Sequence, residues 1–342
     1  MKWGLIARAE TGRGLGIQTY EMYRHLHPDR TMIVTTKDTF PTDTSRFGKA
    51  TVVKFHNEQL HEPTVRHWMN GLDAIVTVET LYDWRIADWA RAAGVRTIVH
   101  GNPEFHKHAL IQLPEPDVWW WPTTWRLDLL PPGPVVPVPV PDDVPFSAAD
   151  DAATGVIKFL FIGGKPALGD RNGAQTLLQA LPRARQRFEV TIRSQTGRLG
   201  QGQIRSNRNV RVTELHAVRD RWSMYKGQHA LVLPRRYGGL CLPALEAMAS
   251  GLALVMPDCS PNTDWPIFPV HSAPGRRLHM QSGRVETFDT LPNDLVTKLD
   301  ALVINRRLLI EQQAASREWA EQNRWSTLAP LYHHEIETAC NS

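Results

Sequence analysis

Cysteine is scarce in this chain: Cys241, Cys259 and Cys340 are the only three in 342 residues. Their odd number and irregular spacing exclude a disulfide frame and a zinc-ligand pattern, so a reducing, cytoplasmic setting is expected. Long apolar runs are missing too. No stretch is long enough to span a bilayer. Met1-Lys2-Trp3 leads directly into a short apolar segment that ends by Ala9, which is not the pattern of a secretory signal. Internal repeats and long low-complexity tracts are also absent. What remains is 42% hydrophobic and 22% charged, the composition of a globular protein, at a length that suits two domains.

Charge is divided unevenly. Residues 1–150 carry 15 Lys and Arg against 18 Asp and Glu, whereas residues 158–226 carry 14 against 4. A basic stretch of this kind suits a solvated face, a phosphate site or a nucleic-acid surface. Arg183, Arg185 and Arg187 also fit the bland reading, as cations near a helix end.

The chain opens with a buried strand, Trp3 to Ala7. The Gly-rich turn Gly12-Arg13-Gly14-Leu15-Gly16 follows, and then a helix marked by Ile17, Tyr20, Tyr23 and Leu26. Such a turn brings backbone N–H groups close to a phosphate. Strand-like runs recur at Met32–Thr35, Thr51–Phe55, Ala74–Val78 and Val95–His100, with a helical stretch at Tyr82–Ala93. This alternation predicts an α/β fold with a mostly parallel sheet. His100 and Glu79 close two of those strands, where ligands of open parallel sheets collect. His106 and His108 read as packed or solvated residues.

Trp119-Trp120-Trp121 precedes a segment with proline at positions 131, 132, 134, 137, 139 and 141. Proline at alternate positions excludes a central strand or a helix and predicts an extended, stiff crossing over 131–145. The tryptophans suit packing under that crossing or stacking on a sugar or base. A second α/β unit then begins: a strand at Val156–Ile162, the cationic loop with Lys165 and Arg171, a helix from Ala174 to Leu181, and strands at Phe188–Ile192 and Val210–Val212. Next come a loop with Glu214, Leu215 and His216 and a short helix within 219–225.

Ala230–Leu233 is a buried strand ended by Pro234. Gly238 and Gly239 follow, then a helix from about Pro243 that Gly251 stops, and a further strand at Leu252–Met256. Glu246 lies near the start of that helix, where a carboxylate is favoured by free N–H groups and the dipole.

The run Tyr237-Gly238-Gly239-Leu240-Cys241-Leu242-Pro243-Ala244-Leu245-Glu246-Ala247-Met248-Ala249-Ser250-Gly251 resembles the donor-site signature of GT-B glycosyltransferases of the retaining GT4 type. That signature has two glutamates separated by seven residues. Glu246 matches the second, and Gly238 stands where the first belongs. The resemblance is specific over 156–265, weaker over 1–145 and general beyond.

It implies a GT-B fold: two Rossmann-like domains facing each other across a cleft. The expected boundaries are 1–145, 146–315 and 316–342, the last as helices returning to the first domain. It also implies transfer of a sugar from a nucleotide-sugar, a UDP-hexose, to a hydroxyl with retained configuration. Tyr237, Gly238, Gly239, Leu240, Cys241, Leu242 and Glu246 would bind the donor, with Glu246 on the ribose and Gly14 and Gly16 facing it. Glu214, Leu215 and His216 would meet the base. Lys165 and Arg171 would stabilise the departing diphosphate, with His100 near the sugar. No cofactor and no catalytic metal are expected, since no Asp-x-Asp sugar-nucleotide motif is present.

The opening Gly4-Leu5-Ile6-Ala7-Arg8-Ala9 with Gly14-Leu15-Gly16-Ile17-Gln18-Thr19-Tyr20 is similar to glycosyltransferases encoded by bacteriophages of actinobacteria. Such enzymes decorate modified DNA bases or virion proteins. The basic segment, with Arg193, Arg198, Arg205, Arg208 and Arg211, suits a phosphate backbone. The acceptor expected is therefore a 5-hydroxymethyl pyrimidine in DNA, with a virion protein, a glycan or a small molecule as the alternative. A binding protein without catalysis is the rival from another class.

Overall fold

The computed structural model describes residues 1–36, 41–56, 59–106, 113–163, 169–193, 206–215, 220–280 and 283–342. Lys165 and His216 fall outside the described residues, as do His108, Arg198, Arg205 and Arg219. The chain forms two compact units. The first comprises Met1–Pro139 and Trp325–Ser342, and the second Val140–Met280 and Arg284–Arg324.

The first unit is built from β1 (Trp3–Ala7), α1 (Gly14–Leu26), β2 (Arg30–Thr35), β3 (Thr51–Lys54), α2 (Glu62–Met69), β4 (Ala74–Val78), α3 (Arg85–Ala92), β5 (Arg96–His100) and β6 (Val118–Trp120). These strands make one parallel sheet in the order β3-β2-β1-β4-β5-β6. Every residue of β1 and β4 is buried. Helices cover both faces, so the strands read as unbroken apolar runs rather than alternating ones. Ile6, Ile75 and Val99 face a core shared with Val65, Trp68, Ile86 and Trp89 of α2 and α3. Leu5, Val76 and Ile98 face the opposite core, shared with Met22 and Leu26 of α1.

The tryptophan triplet follows the two-residue period of a strand. Trp119 and Trp121 point to the α2/α3 face and stack with ring centroids 5.2 Å apart. Trp120 points to the other face. All three are buried, so packing is their role. The Pro-rich segment runs along this sheet edge: Trp121 N–H donates to the Pro134 carbonyl and Val136 N–H to that of Trp121. An edge tolerates proline because its outer side needs no donor.

The second unit repeats the plan with β7 (Lys158–Ile162), α4 (Ala174–Ala180), β8 (Phe188–Arg193), β9 (Val210–Leu215), β10 (Ala230–Val232), α5 (Leu242–Ala249), β11 (Ala253–Pro257) and β12 (Ile267–Val270). Its parallel order is β12-β11-β10-β7-β8-β9, the same winding as the first sheet. Two more helices follow, α6 (Pro292–Ile304) packed on α4 and α7 (Arg306–Gln322) packed on α5 and β11. The last helix, α8 (Trp325–Asn341), belongs to the first unit, where Trp325, Tyr332 and Ile336 join the α1-side core. No described helix is long and apolar enough to cross a membrane.

One local expectation is corrected. Glu214 and Leu215 are not in a loop: they end β9, opposite Ile192 and Arg193 of β8. Their extended backbone is held by the ladder, and the strand runs three residues past Val212.

Candidate functional site

In each sheet the first and fourth strands of the unit lie side by side, β1 beside β4 and β7 beside β10. Chain connections leave in opposite directions at those pairs, which opens a crevice at the strands' carboxyl ends. Topology alone therefore directs attention to two loop pairs: 163–173 with 233–241 in the second unit, and 8–13 with 79–84 in the first.

In the second unit, the residues around Arg171 hold it in place. The Asp170 carboxylate accepts from the N–H groups of Ala174 and Gln175, at 2.7 and 3.0 Å, and so caps α4. The Asn172 side chain donates to the carbonyl of Ile162, the last residue of β7, at 2.8 Å. Arg171 itself accepts at its carbonyl from Arg236 N–H, 2.8 Å, which ties the two loops together. Its guanidinium donates to the Leu240 carbonyl at 3.3 Å and lies 5.7 Å from the Tyr237 ring centre. Arg171, Tyr237, Gly238 and Leu240 are thereby gathered at one place.

Gly238 has φ of 120°, a backbone that side-chain-bearing residues rarely adopt. A Cβ there would overlap the Nη2 atoms of Arg235 and Arg171. Arg235 is only 2% exposed and donates to the same Leu240 carbonyl. Two guanidiniums therefore stand at the position where the resemblance puts a carboxylate.

Gly239, Cys241 and Leu242 lead from this point into α5. The helix starts at Leu242 with Pro243 second, where its missing N–H costs nothing. Glu246 sits one turn further in. It is 5% exposed, accepts from Arg221 Nε at 2.8 Å and Nη2 at 2.5 Å, and accepts from the Tyr225 hydroxyl at 2.6 Å. Burial first, then the Glu246 charge, push the Tyr225 hydroxyl well above the usual tyrosine range, so it remains a donor. A carboxylate has about four acceptor sites, and three donors are in place here. Arg221 also lies over Trp222, 4.5 Å from its ring centre.

In the first unit, Gly14 opens α1 and is exposed, while Gly16 is buried. A Cβ on Gly16 would overlap the Glu10 carbonyl oxygen, so only glycine lets the helix start this close to the end of β1. Beside it, Arg8 and Glu10 form a buried ion pair. Across the switch point, Glu79 and Tyr82 have φ of 69° and 65°. Each centres a three-residue turn, closed by Thr80 N–H to the Val78 carbonyl and Asp83 N–H to that of Leu81. Such γ-turns are strained, which is why α3 begins at Arg85 and not at Tyr82. Asn102 donates to the Glu79 carboxylate at 3.1 Å.

His100 closes β5 as expected, but its ring turns into the core against Trp120 and Tyr332, 6.1 and 6.0 Å between centres. Neither ring nitrogen has a hydrogen-bond partner among the described residues. Burial lowers its pKa to about 4, so the ring is neutral near pH 7.

The sequence reading missed Arg235, Arg221 and Tyr225. Arg235 carried one signal, a cation immediately after the proline that ends a central strand. The other two lie 25 and 21 residues before the carboxylate they hold, at a spacing that no local pattern marks.

Residues 157–265, which contain all of this second-unit site, match the family described as glycosyl transferases group 1. Solved structures share the whole architecture. Lipopolysaccharide outer core galactosyltransferase WaaB in its apo form aligns at 16% identity over 99% of each chain, with a TM-score of 0.68. Sucrose-phosphate synthase from Thermosynechococcus elongatus aligns at 14% identity over 99% of this chain and 98% of that one, TM-score 0.69. Anabaena HepE in complex with UDP aligns at 9% identity over 99% of this chain and 100% of that one, TM-score 0.68. Among curated proteins none matches by sequence. The fold is GT-B, and the second unit carries a glycosyl transferases group 1 region.

Proposed function

We propose that this chain is a retaining glycosyltransferase that moves a hexose from a UDP-sugar to a hydroxyl acceptor. The observation that carries the reading is the assembly at the β7/β10 switch point: a guanidinium at the Gly-rich turn and a buried carboxylate on the helix that follows. Glu246, with Arg221 and Tyr225 fixing its direction, has an acceptor site left for a ribose hydroxyl. Arg171, with Lys165 on the same loop, faces the diphosphate. That group gains negative charge as the glycosidic bond breaks, and preorganised cations stabilise it most at that moment. The UDP held by the HepE structure supports this choice of donor.

The acceptor we propose is a 5-hydroxymethyl pyrimidine in DNA, flipped from its stack. Its support is the basic segment, including exposed Arg208 and Arg211 beside and on the edge strand β9; the Arg211 side chain is 76% exposed. A hydroxyl on a virion protein or small molecule is the second reading, favoured by the acidic balance of residues 1–150. The test is a nucleotide-sugar panel offered with duplex DNA containing 5-hydroxymethylcytosine or 5-hydroxymethyluracil, and separately with virion proteins, read by mass. A hexose mass on the base supports the DNA acceptor, and a gain on protein alone replaces it. Absence of nucleoside diphosphate release with every donor and acceptor would leave a binding protein.

A further inference from the structure

Arg235 follows Pro234 at the carboxyl end of β10, beside the switch point. Its guanidinium is buried and shares the Leu240 carbonyl with Arg171, whose own bond to that oxygen is 3.3 Å. Both converge on Gly238, whose bare backbone admits them: a Cβ would overlap both Nη2 atoms. Arg236, next in the chain, is engaged elsewhere, with Asp289 at 2.6 Å, the Gly169 carbonyl at 2.8 Å and Thr287 at 3.4 Å. The convergence therefore belongs to Arg171 and Arg235.

Arginine is permanently charged, donates through five N–H groups and accepts nothing. One neutral carbonyl takes a single bond from each of the two. The ligand chemistry that best satisfies two guanidiniums meeting at one point is an oxyanion, which accepts short, charge-assisted bonds from both. A neutral sugar hydroxyl offers a lone pair but no charge. Building on the donor reading above, we infer that Arg235 and Arg171 form a two-guanidinium oxyanion site on Gly238. Arg235 is then a specificity-determining residue that selects the donor by negative charge. Phosphoryl oxygens of the diphosphate and a carboxylate on an acidic donor sugar share this chemistry.

The test is calorimetric titration of the full-length chain and of Arg235→Gln with UDP, UDP-glucose and UDP-glucuronate, with GDP and ADP as further probes. Thermal melts confirm folding. A loss of tenfold or more against all three uridine ligands in Arg235→Gln identifies the diphosphate as the anion. A loss confined to UDP-glucuronate identifies the sugar carboxylate. Wild-type affinity for all three in folded Arg235→Gln overturns the inference and leaves Arg235 a structural clasp. Should Arg235→Gln fail to fold, Gly238→Ala replaces it. Its methyl group pushes the guanidiniums apart, a tenfold loss is again expected, and unchanged affinity overturns the inference. Failure of the donor reading itself has a different signature: the wild-type chain then binds none of the five ligands.

Discussion

Arg221 and Glu246 form a forked ion pair, with Nε 2.8 Å and Nη2 2.5 Å from the same carboxylate oxygen, while the Tyr225 hydroxyl takes the other oxygen at 2.6 Å. The pair locks the one carboxylate of α5 in a fixed direction at little entropic cost, because Arg presents a planar fork.

That relationship separates two effects of mutation. Glu246→Ala leaves a partly buried guanidinium without its carboxylate and is expected to cost about 3 kcal/mol of stability. Glu246→Gln keeps an acceptor for Tyr225 and is expected to stay folded, yet to lose about 1–3 kcal/mol of donor affinity, as when a charged hydrogen bond is removed. Urea melts and calorimetry on the two variants check this. Unchanged UDP affinity in folded Glu246→Gln would remove Glu246 from the donor site.

Arg171 is expected to act on the transition state. Its partners Asp170 and Asn172 fix the loop through their own bonds, so Arg171→Ala should leave the fold intact. Turnover should fall on the order of 10²-fold, with a smaller rise in the donor KM, because the charge it meets grows during bond cleavage. Steady-state kinetics decide it, and a KM effect with wild-type kcat would make Arg171 a ground-state binder only.

Much of this was legible in the residues, and the rest was not for identifiable reasons. Trp3–Ala7 and Ala74–Val78 are unbroken apolar runs with clear ends, so their strands could be placed to the residue. The tryptophan triplet was recognisable as packing. The direction of the His100 ring was not read, although parity contained it: Ile98 and His100 share a face of β5, and Ile98 lies in the α1-side core. Arg235, Arg221 and Tyr225 show their roles only through contacts that the fold creates. Glu79 and Tyr82 take positive φ for which their residue types give no cue.

Tyr82 leads to a third prediction. Its hydroxyl is buried with no hydrogen-bond partner among the described residues. A buried donor left unmade costs free energy that removal recovers. Tyr82→Phe is therefore expected to raise stability by about 1 kcal/mol in chemical denaturation. A loss of similar size would show that the hydroxyl has an acceptor in solution.

The last prediction concerns pH. Burial lowers the His100 pKa to about 4, against 6.5 for an ordinary histidine. The folded chain therefore leaves the ring neutral between those values while the unfolded chain binds a proton. Because the unfolded state holds more protons in that window, stability rises with pH across it. It is complete above about pH 6.5, falls as the pH drops toward 4, and gains no further contribution from this group below that. A shift of this size corresponds to a loss of about 3 kcal/mol. Burial also lowers the His229 pKa, with the Asp151 charge opposing, so it adds a slope of the same sign. His100→Phe fills the same aromatic contact with Trp120 and Tyr332 and cannot take the proton. Urea titrations between pH 4.5 and 7.5 should show a steep fall in wild-type stability on acidification and a clearly shallower one in His100→Phe, with the His229 slope remaining. Equal slopes in the two proteins would mean that the His100 ring is hydrated in solution and titrates as an exposed histidine does.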